Sequence, residues 1–174
     1  TYDNMSRMLT AKGNNGISTA YTYDDNGNRT RFSYGNGVTV DYSYNAGNLI
    51  KSINASSSGT IFEAESYNYY TDGNQQTKYI TGMSEDKNYV YSYDGLGRII
   101  NVDYNGNATQ YAYDDYNNRI SKTVGGETIS YSYDKNNRLL SETGITYTYD
   151  SNGNMITKTQ NGVKTTYGYD ALNR

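Results

Sequence analysis

Cysteine, histidine, tryptophan and proline are all missing from this 174-residue chain. Without Cys there is no disulfide framework and no thiol chemistry. Without His or Cys the Ser-His and Cys-His nucleophile pairs are excluded. Without Pro, strand edges lose one of the usual means of blunting them. Aliphatic residues are scarce too, with six Leu and eight Ala. No stretch approaches the ~18 apolar residues of a membrane-spanning helix. Net charge is −3, and the 15 Lys and Arg residues are dispersed. A nucleic-acid binder would carry a basic stripe. Residues 1–10 lack the charged start and apolar run of a signal peptide.

The chain is instead rich in Tyr, Asn and Gly, with 23, 23 and 18 copies. Low hydrophobicity of this kind often marks disorder. Disordered chains are poor in aromatics, however, and here the aromatics fall at regular positions. The dipeptide Tyr-Asp occurs at Tyr2-Asp3, Tyr23-Asp24, Tyr93-Asp94, Tyr113-Asp114, Tyr133-Asp134, Tyr149-Asp150 and Tyr169-Asp170. Degenerate copies at Tyr44-Asn45 and Tyr69-Tyr70 fill the gap. The nine anchors are 21, 21, 25, 24, 20, 20, 16 and 20 residues apart. A period near 20 residues is the mark of a repeat architecture. The chain reads as one repeat region, residues 1–174, of about eight periods, starting on one anchor and stopping inside another.

One period shows the physics. In Tyr91-Ser92-Tyr93 alternation puts both rings on one face of a strand. Asp94 to Gly97 follows as a turn, and Arg98 to Tyr104 as a second strand. Asn105-Gly106 is a hairpin signal, because both residues tolerate positive φ. Ala108 to Tyr113 returns to the next anchor. Comparable second turns are marked by Asn15-Gly16, Asn36-Gly37, Ser58-Gly59, Gly125-Gly126 and Asn161-Gly162. Tyr-x-Tyr precedes eight of the nine anchor turns. The rings are expected to lie side by side in adjacent strands and stack in place of an aliphatic core.

The position four after the anchor Tyr holds Ser6, Gly27, Gly73, Gly97, Asn117, Asn137, Gly153 and Asn173, so a turn residue with positive φ is predicted there. The next position is always Arg or Asn: Arg7, Asn28, Asn74, Arg98, Asn118, Arg138, Asn154 and Arg174. The third unit, Tyr44 to Asn48, reads as one residue shorter. The anchor Asp is expected to accept from backbone N–H groups two residues on, as in an Asx turn, and to pair with an Arg on a neighbouring turn. No helical periodicity appears, and the fold class predicted is all-β: an antiparallel meander of roughly sixteen short strands in tandem hairpins.

These residues resemble the YD repeats of Rhs proteins, teneurins, toxin-complex C components and wall-associated bacterial proteins. The resemblance rests on segments such as Tyr23-Asp24-Asp25-Asn26-Gly27-Asn28-Arg29, Tyr93 to Ile99 and Tyr149 to Met155, and covers essentially the whole chain. It implies a β-sheet spiralling into a hollow shell around a C-terminal toxin or other cargo, in a secreted or cell-surface protein. The implied role is scaffolding, and the implied partner is the rest of the parent polypeptide, its core and its toxin or plug. The Asp-Pro motif of the family's closing core is absent, so the resemblance does not extend to self-cleavage.

No enzyme activity and no cofactor are expected. Asp24/Asp25 and Asp114/Asp115 point to opposite faces of a strand and do not converge as paired carboxylates. The loops at Asp24 and Asp150 look slightly like calcium loops, but an EF-hand needs Gly sixth and Glu twelfth. Here Gly is fourth, and Gly35 and Asn161 stand twelfth, so no metal is predicted. Two alternatives to the scaffold remain. Rows of Tyr can stack on glycans or cell-wall polysaccharide. Open sheet edges can self-associate into filaments.

Overall fold

A computed structural model describes residues 1–14, 16–82 and 84–174. Asn15, of the Asn15-Gly16 signal, lies outside the described residues. The described residues form sixteen strands, and within each of two compact units their order across the sheet is the order of the chain. These units are Thr1–Ser92 with Asp103–Asn105 and Tyr93–Val102 with Gly106–Arg174.

The first unit holds β1 (Thr10–Lys12), β2 (Ser18–Tyr23), β3 (Arg29–Tyr34), β4 (Val38–Tyr44), β5 (Ile50–Ser57), β6 (Thr60–Tyr69), β7 (Gln75–Gly82) and the body of β8 (Lys87–Tyr93). The second holds most of β9 (Ile99–Tyr104), then β10 (Asn107–Tyr113), β11 (Arg119–Val124), β12 (Glu127–Tyr133), β13 (Leu139–Glu142), β14 (Ile145–Tyr149), β15 (Met155–Gln160) and β16 (Val163–Thr166). Within each unit consecutive strands pair antiparallel.

Two kinds of turn alternate. At Ser58-Gly59, Gly125-Gly126 and Asn161-Gly162 both residues have positive φ, the two-residue type I′ geometry that matches strand twist. At Asn36-Gly37 only Gly37 is left-handed, and its N–H bonds to the Tyr34 carbonyl at 3.1 Å. The other turn follows the anchor Tyr. In it the N–H of position 1 bonds to the carbonyl of position 5, and the N–H of position 4 to the carbonyl of position 1 (anchor Tyr as zero). Asp94–Arg98 at 2.9 Å and Gly97–Asp94 at 3.0 Å are one copy.

The register shifts at every anchor Tyr that pairs within a unit: between Thr22/Tyr23, Ser43/Tyr44, Asn68/Tyr69, Ala112/Tyr113, Ser132/Tyr133 and Thr148/Tyr149. Tyr113 opposes Arg119 while Ala112 opposes Ser121, leaving Ile120 as the extra residue of a β-bulge.

The third unit is not shorter. Asn45 N–H bonds to the Leu49 carbonyl and Asn48 N–H to the Asn45 carbonyl, and Asn48 has φ 64°. Position 4 is therefore filled by Asn48, and the true departure is Leu49 in place of Arg or Asn.

None of the described residues is fully buried. The Tyr-x-Tyr rings of β2, β4, β6, β10, β12 and β14 are half-buried. The residue between the two rings lies on the opposite face. There it bonds across the ladder in Ser43–Ser52 at 2.6 Å, Ser132–Ser141 at 2.6 Å and Thr148–Thr157 at 2.6 Å. One face is thus aromatic, the other lined by hydroxyl pairs.

Candidate functional site

The repeated anchor turn is the only place where the sequence concentrates one constellation, and its parts are built alike in both units. Position 4 adopts positive φ in every copy: Ser6, Gly27, Asn48 and Gly73 in the first unit, and Gly97, Asn117, Asn137, Gly153 and Asn173 in the second. That backbone folds the chain so that the position 1 carboxylate faces the amides behind it. Asp94 Oδ1 accepts from the N–H groups of Leu96 at 2.9 Å and Arg98 at 3.0 Å, while Oδ2 accepts from Arg98 Nε at 2.6 Å. Asp3, Asp134 and Asp170 repeat this with Arg7, Arg138 and Arg174. Asp24, Asp114 and Asp150 repeat it with Asn28, Asn118 and Asn154, each of whose Nδ2 donates to Oδ2.

The Arg therefore pairs with the Asp of its own turn. Among the described residues no position 5 Arg forms the expected bridge to a neighbouring turn's carboxylate, because position 5 stands directly over position 1 once position 4 is left-handed; Arg98 adds only a minor attraction at Asp114. The degenerate copies keep the clamp by other means. Asn45 Oδ1 accepts from Gly47 and Leu49 N–H at 2.9 and 3.0 Å. In the Tyr69-Tyr70 turn, Asp72 takes over and holds Asn74 through N–H and Nδ2, both at 3.0 Å.

The anchor carboxyls are held below their ordinary value of 3.8. For Asp94 and Asp134 the main cause is the backbone N–H of the position 5 Arg, opposed by partial desolvation and helped by that Arg's side chain. For Asp24, Asp114 and Asp150 it is the Asn side chain.

Position 5 also reaches the next turn, which single-turn reasoning missed. Arg7 Nη1 donates to the Asp24 carbonyl at 3.1 Å. In the second unit Arg98 Nη1 donates to the Asp114 carbonyl at 3.0 Å and Arg138 Nη1 to that of Asp150 at 3.1 Å. Three Asn at position 5 meet an Asn at position 4 of the next turn: Asn28–Asn48 at 2.6 Å, Asn118–Asn137 at 3.0 Å and Asn154–Asn173 at 2.9 Å; Arg98 Nη1 also donates to Asn117 Oδ1 at 2.9 Å. The matched Asn show in the sequence at Asn28/Asn48, Asn118/Asn137 and Asn154/Asn173, though Asn74 is followed by Gly97.

The anchor Tyr makes a second link. Its hydroxyl donates to the position 6 carbonyl of the preceding repeat. The first unit shows Tyr23–Met8 at 2.9 Å, Tyr44–Arg29 at 2.9 Å and Tyr69–Ile50 at 2.8 Å. The second shows Tyr113–Ile99 at 2.9 Å, Tyr133–Arg119 at 2.9 Å, Tyr149–Leu139 at 2.8 Å and Tyr169–Met155 at 3.1 Å. Tyr2 lies on the isolated bridge to Met8 and is exposed, and Tyr93 closes β8 ahead of the Asp94 turn.

Among the described residues the Tyr-x-Tyr rings do not line up as the expected column, and stacking is local, as in Tyr89–Tyr91 at 6.3 Å. Each period contributes two strands, so successive Tyr-x-Tyr strands are separated by an intervening one, and its side chains interleave. Guanidinium groups lie over Tyr23 (Arg7, 4.7 Å), Tyr42 (Arg29, 5.0 Å), Tyr113 (Arg98, 4.8 Å), Tyr131 (Arg119, 4.7 Å) and Tyr149 (Arg138, 4.9 Å). Such contacts add about 0.5–1 kcal/mol each at exposed sites. Ring pairs occur locally, as in Tyr21–Phe32 at 5.0 Å.

Among the described residues no group of three or more His, Cys, Asp or Glu side chains gathers as a metal site. A groove of about 550 Å³ lies between two turns of the second unit, lined by Asp114, Tyr116, Ile120, Ser132, Asp134 and Lys135. Within it the carboxylates of Asp114 and Asp134 are occupied by their own turns.

Comparison with known proteins gives a consistent result. The family model described as Teneurin YD-shell matches residues 74–174. The tRNA3(Ser)-specific nuclease WapA of Bacillus spizizenii and the tRNA nuclease WapA of Bacillus subtilis (strain 168) are each 30% identical over 119 residues. That alignment takes in 63% of this chain and 5% of either relative. Among solved structures, the complex TcdB2-TccC3-Cdc42 superposes with a TM-score of 0.80 at 16% identity, covering 98% of this chain and 12% of the other. The Photorhabdus luminescens Tc holotoxin pore gives 0.72 at 18% identity, covering 86% and 9%. At these identities the likeness is one of fold.

Proposed function

The chain belongs to the teneurin YD-shell family, and from that premise we propose that it is a stretch of shell wall enclosing a C-terminal toxin or other cargo of a secreted or surface bacterial protein. The observation that carries this is the double link between consecutive repeats. The position 5 side chain joins turn to turn, and the anchor Tyr hydroxyl joins turn to strand. Such links hold hairpins edge to edge in a wall without a buried core. The anchor residues serve as struts, residues 1–174 act as one repeat region, and the chain performs no catalysis of its own. The nuclease activity named for WapA belongs to those relatives, of which this chain spans a twentieth.

Limited proteolysis of the full-length polypeptide tests encapsulation. The segment C-terminal to the repeats is expected to survive a non-specific protease in the intact protein. It is expected to be digested when Asp114→Ala and Asp134→Ala loosen the wall. Digestion at the same rate in intact protein and in the isolated segment would refute it.

One observation favours glycan binding as a second reading. Tyr116 is 77% exposed beside the groove between the turns. Isothermal titration with cell-wall polysaccharide is expected, on this reading, to give saturable heat that Tyr116→Ala abolishes. No heat from the unmodified protein removes it.

A further inference from the structure

We propose that Tyr89 and Tyr104 form a site of oxidative cross-linking, joined carbon to carbon as dityrosine and stapling β8 to the Asp103–Asn105 segment of the first unit. Their ring centroids are 4.8 Å apart with planes inclined at 32°. The rings face each other rather than meeting edge to face, so ring carbons ortho to the two hydroxyls come within reach through small side-chain rotations. The backbone beside each ring is pinned. Asn105 N–H donates to the Asn88 carbonyl at 2.9 Å, and Asn88 N–H donates to Asn105 Oδ1 at 2.7 Å. Asn105 Nδ2 holds the Asp86 carbonyl at 3.1 Å. The pair is therefore preorganised, which is what lets coupling outrun diffusion of the two radicals to other partners.

Access and chemistry agree. Tyr104 is 39% exposed, so an oxidant can reach its ring. Tyr91 also stacks on Tyr89, but at 6.3 Å between centroids it lies farther off than Tyr104, and the partner of Tyr21 and of Tyr34 is Phe32, which has no phenol. With no Cys in the chain, a staple of this kind is the covalent cross-link its side chains can make under oxidation.

The oxidant is hydrogen peroxide acting through a haem peroxidase. Each phenol gives up one electron and its hydroxyl proton, and one peroxide is reduced to two waters. The two phenoxyl radicals form one bond between their ortho ring carbons. Each of those carbons then passes its proton to its own oxygen, restoring two phenols. The product has lost two hydrogen atoms. It closes a loop over the 14 residues between positions 89 and 104, which restricts the unfolded chain more than the folded one.

The test is peroxidase with hydrogen peroxide on dilute full-length polypeptide, followed by peptide mapping and dityrosine fluorescence. The expected product is an intramolecular peptide pair joining Tyr89 to Tyr104, two hydrogens lighter. Its yield does not depend on protein concentration, and the cross-linked protein unfolds at higher temperature. Tyr104→Phe keeps the ring and is expected to abolish that product, while Tyr34→Phe leaves it unchanged. The unmodified protein alone can overturn the proposal. Products confined to exposed residues such as Tyr2 and Tyr116, with concentration-dependent dimers, would do so, as would methionine oxidation with no loss of hydrogen.

Discussion

Position 4 of the anchor turn carries a backbone demand that only a few residues meet. Gly97 sits at φ 75°, a region a β-branched side chain tolerates poorly. Gly97→Val is expected to destabilise its unit by about 1–2 kcal/mol or more, read from urea unfolding; an unchanged midpoint would disprove the assignment. Gly82 is constrained differently. A Cβ there would collide with the Phe62 carbonyl oxygen and the Glu63 Cα, so the strand passes its neighbour only as glycine. Tyr147 supplies a residue-scale titration. Its hydroxyl donates to Glu142 Oε1 at 2.5 Å, and that bond, followed by partial desolvation, pushes its pKa up from 10.0 to about 12. A raised folded pKa gives stability that is whole below pH 10.0 and is lost as pH rises toward 12. Tyr147→Phe is expected to flatten the alkaline arm of the stability profile, and an unchanged arm would contradict this.

At the level of strands, the bulge beside each anchor Tyr sets which face its neighbours show. Ile120 is the extra residue between the Tyr113–Arg119 and Ala112–Ser121 pairs. Deleting it turns the two pairs into a continuous ladder and removes the local bend and twist that aim the Tyr113 ring. The deletion is expected to cost far more than Ile120→Ala, with the Tyr113 hydroxyl parted from the Ile99 carbonyl. Amide hydrogen exchange across β10 and β11 measures this, and equal protection in the two variants would refute it. Here lies the boundary of what was legible beforehand. Hairpin turns at Gly125-Gly126 and Asn161-Gly162, and the left-handed slot at Gly97 or Asn117, follow from residues whose backbone preferences are local. The bulge at Ile120, the reach of Arg98 to the next turn and the carbonyl chosen by Tyr113 depend on cross-strand registers that no local preference encodes. The same blindness produced the stacked-ring expectation, since counting Tyr-x-Tyr motifs does not show that another strand runs between them. Tyr44 to Asn48 looks short for the same reason, although Asn48, at φ 64°, fills the slot.

Across the whole molecule the anchor carboxylates act as a set. Asp3, Asp24, Asp94, Asp114, Asp134, Asp150 and Asp170 are all depressed below 3.8, chiefly by hydrogen bonds from position 5. A lowered folded pKa gives stability that is whole above pH 3.8 and is lost as pH falls through the folded values. Thermal unfolding is expected to be level from neutral pH down to the ordinary Asp range and then to drop steeply. Replacing Asp94, Asp114 and Asp134 by Asn, as nature has done at Asn45, should shallow that drop; an equally steep one would mean other carboxylates cause it. The links described between turns have a further consequence, in heredity. Each reaches only from one repeat to the next, so no repeat depends on a distant one. A gene encoding such a chain can gain or lose a whole period by recombination and still specify continuous hydrogen bonding at the seam. The anchor spacings run from 16 to 25 residues, while a left-handed residue at position 4 is present in every copy.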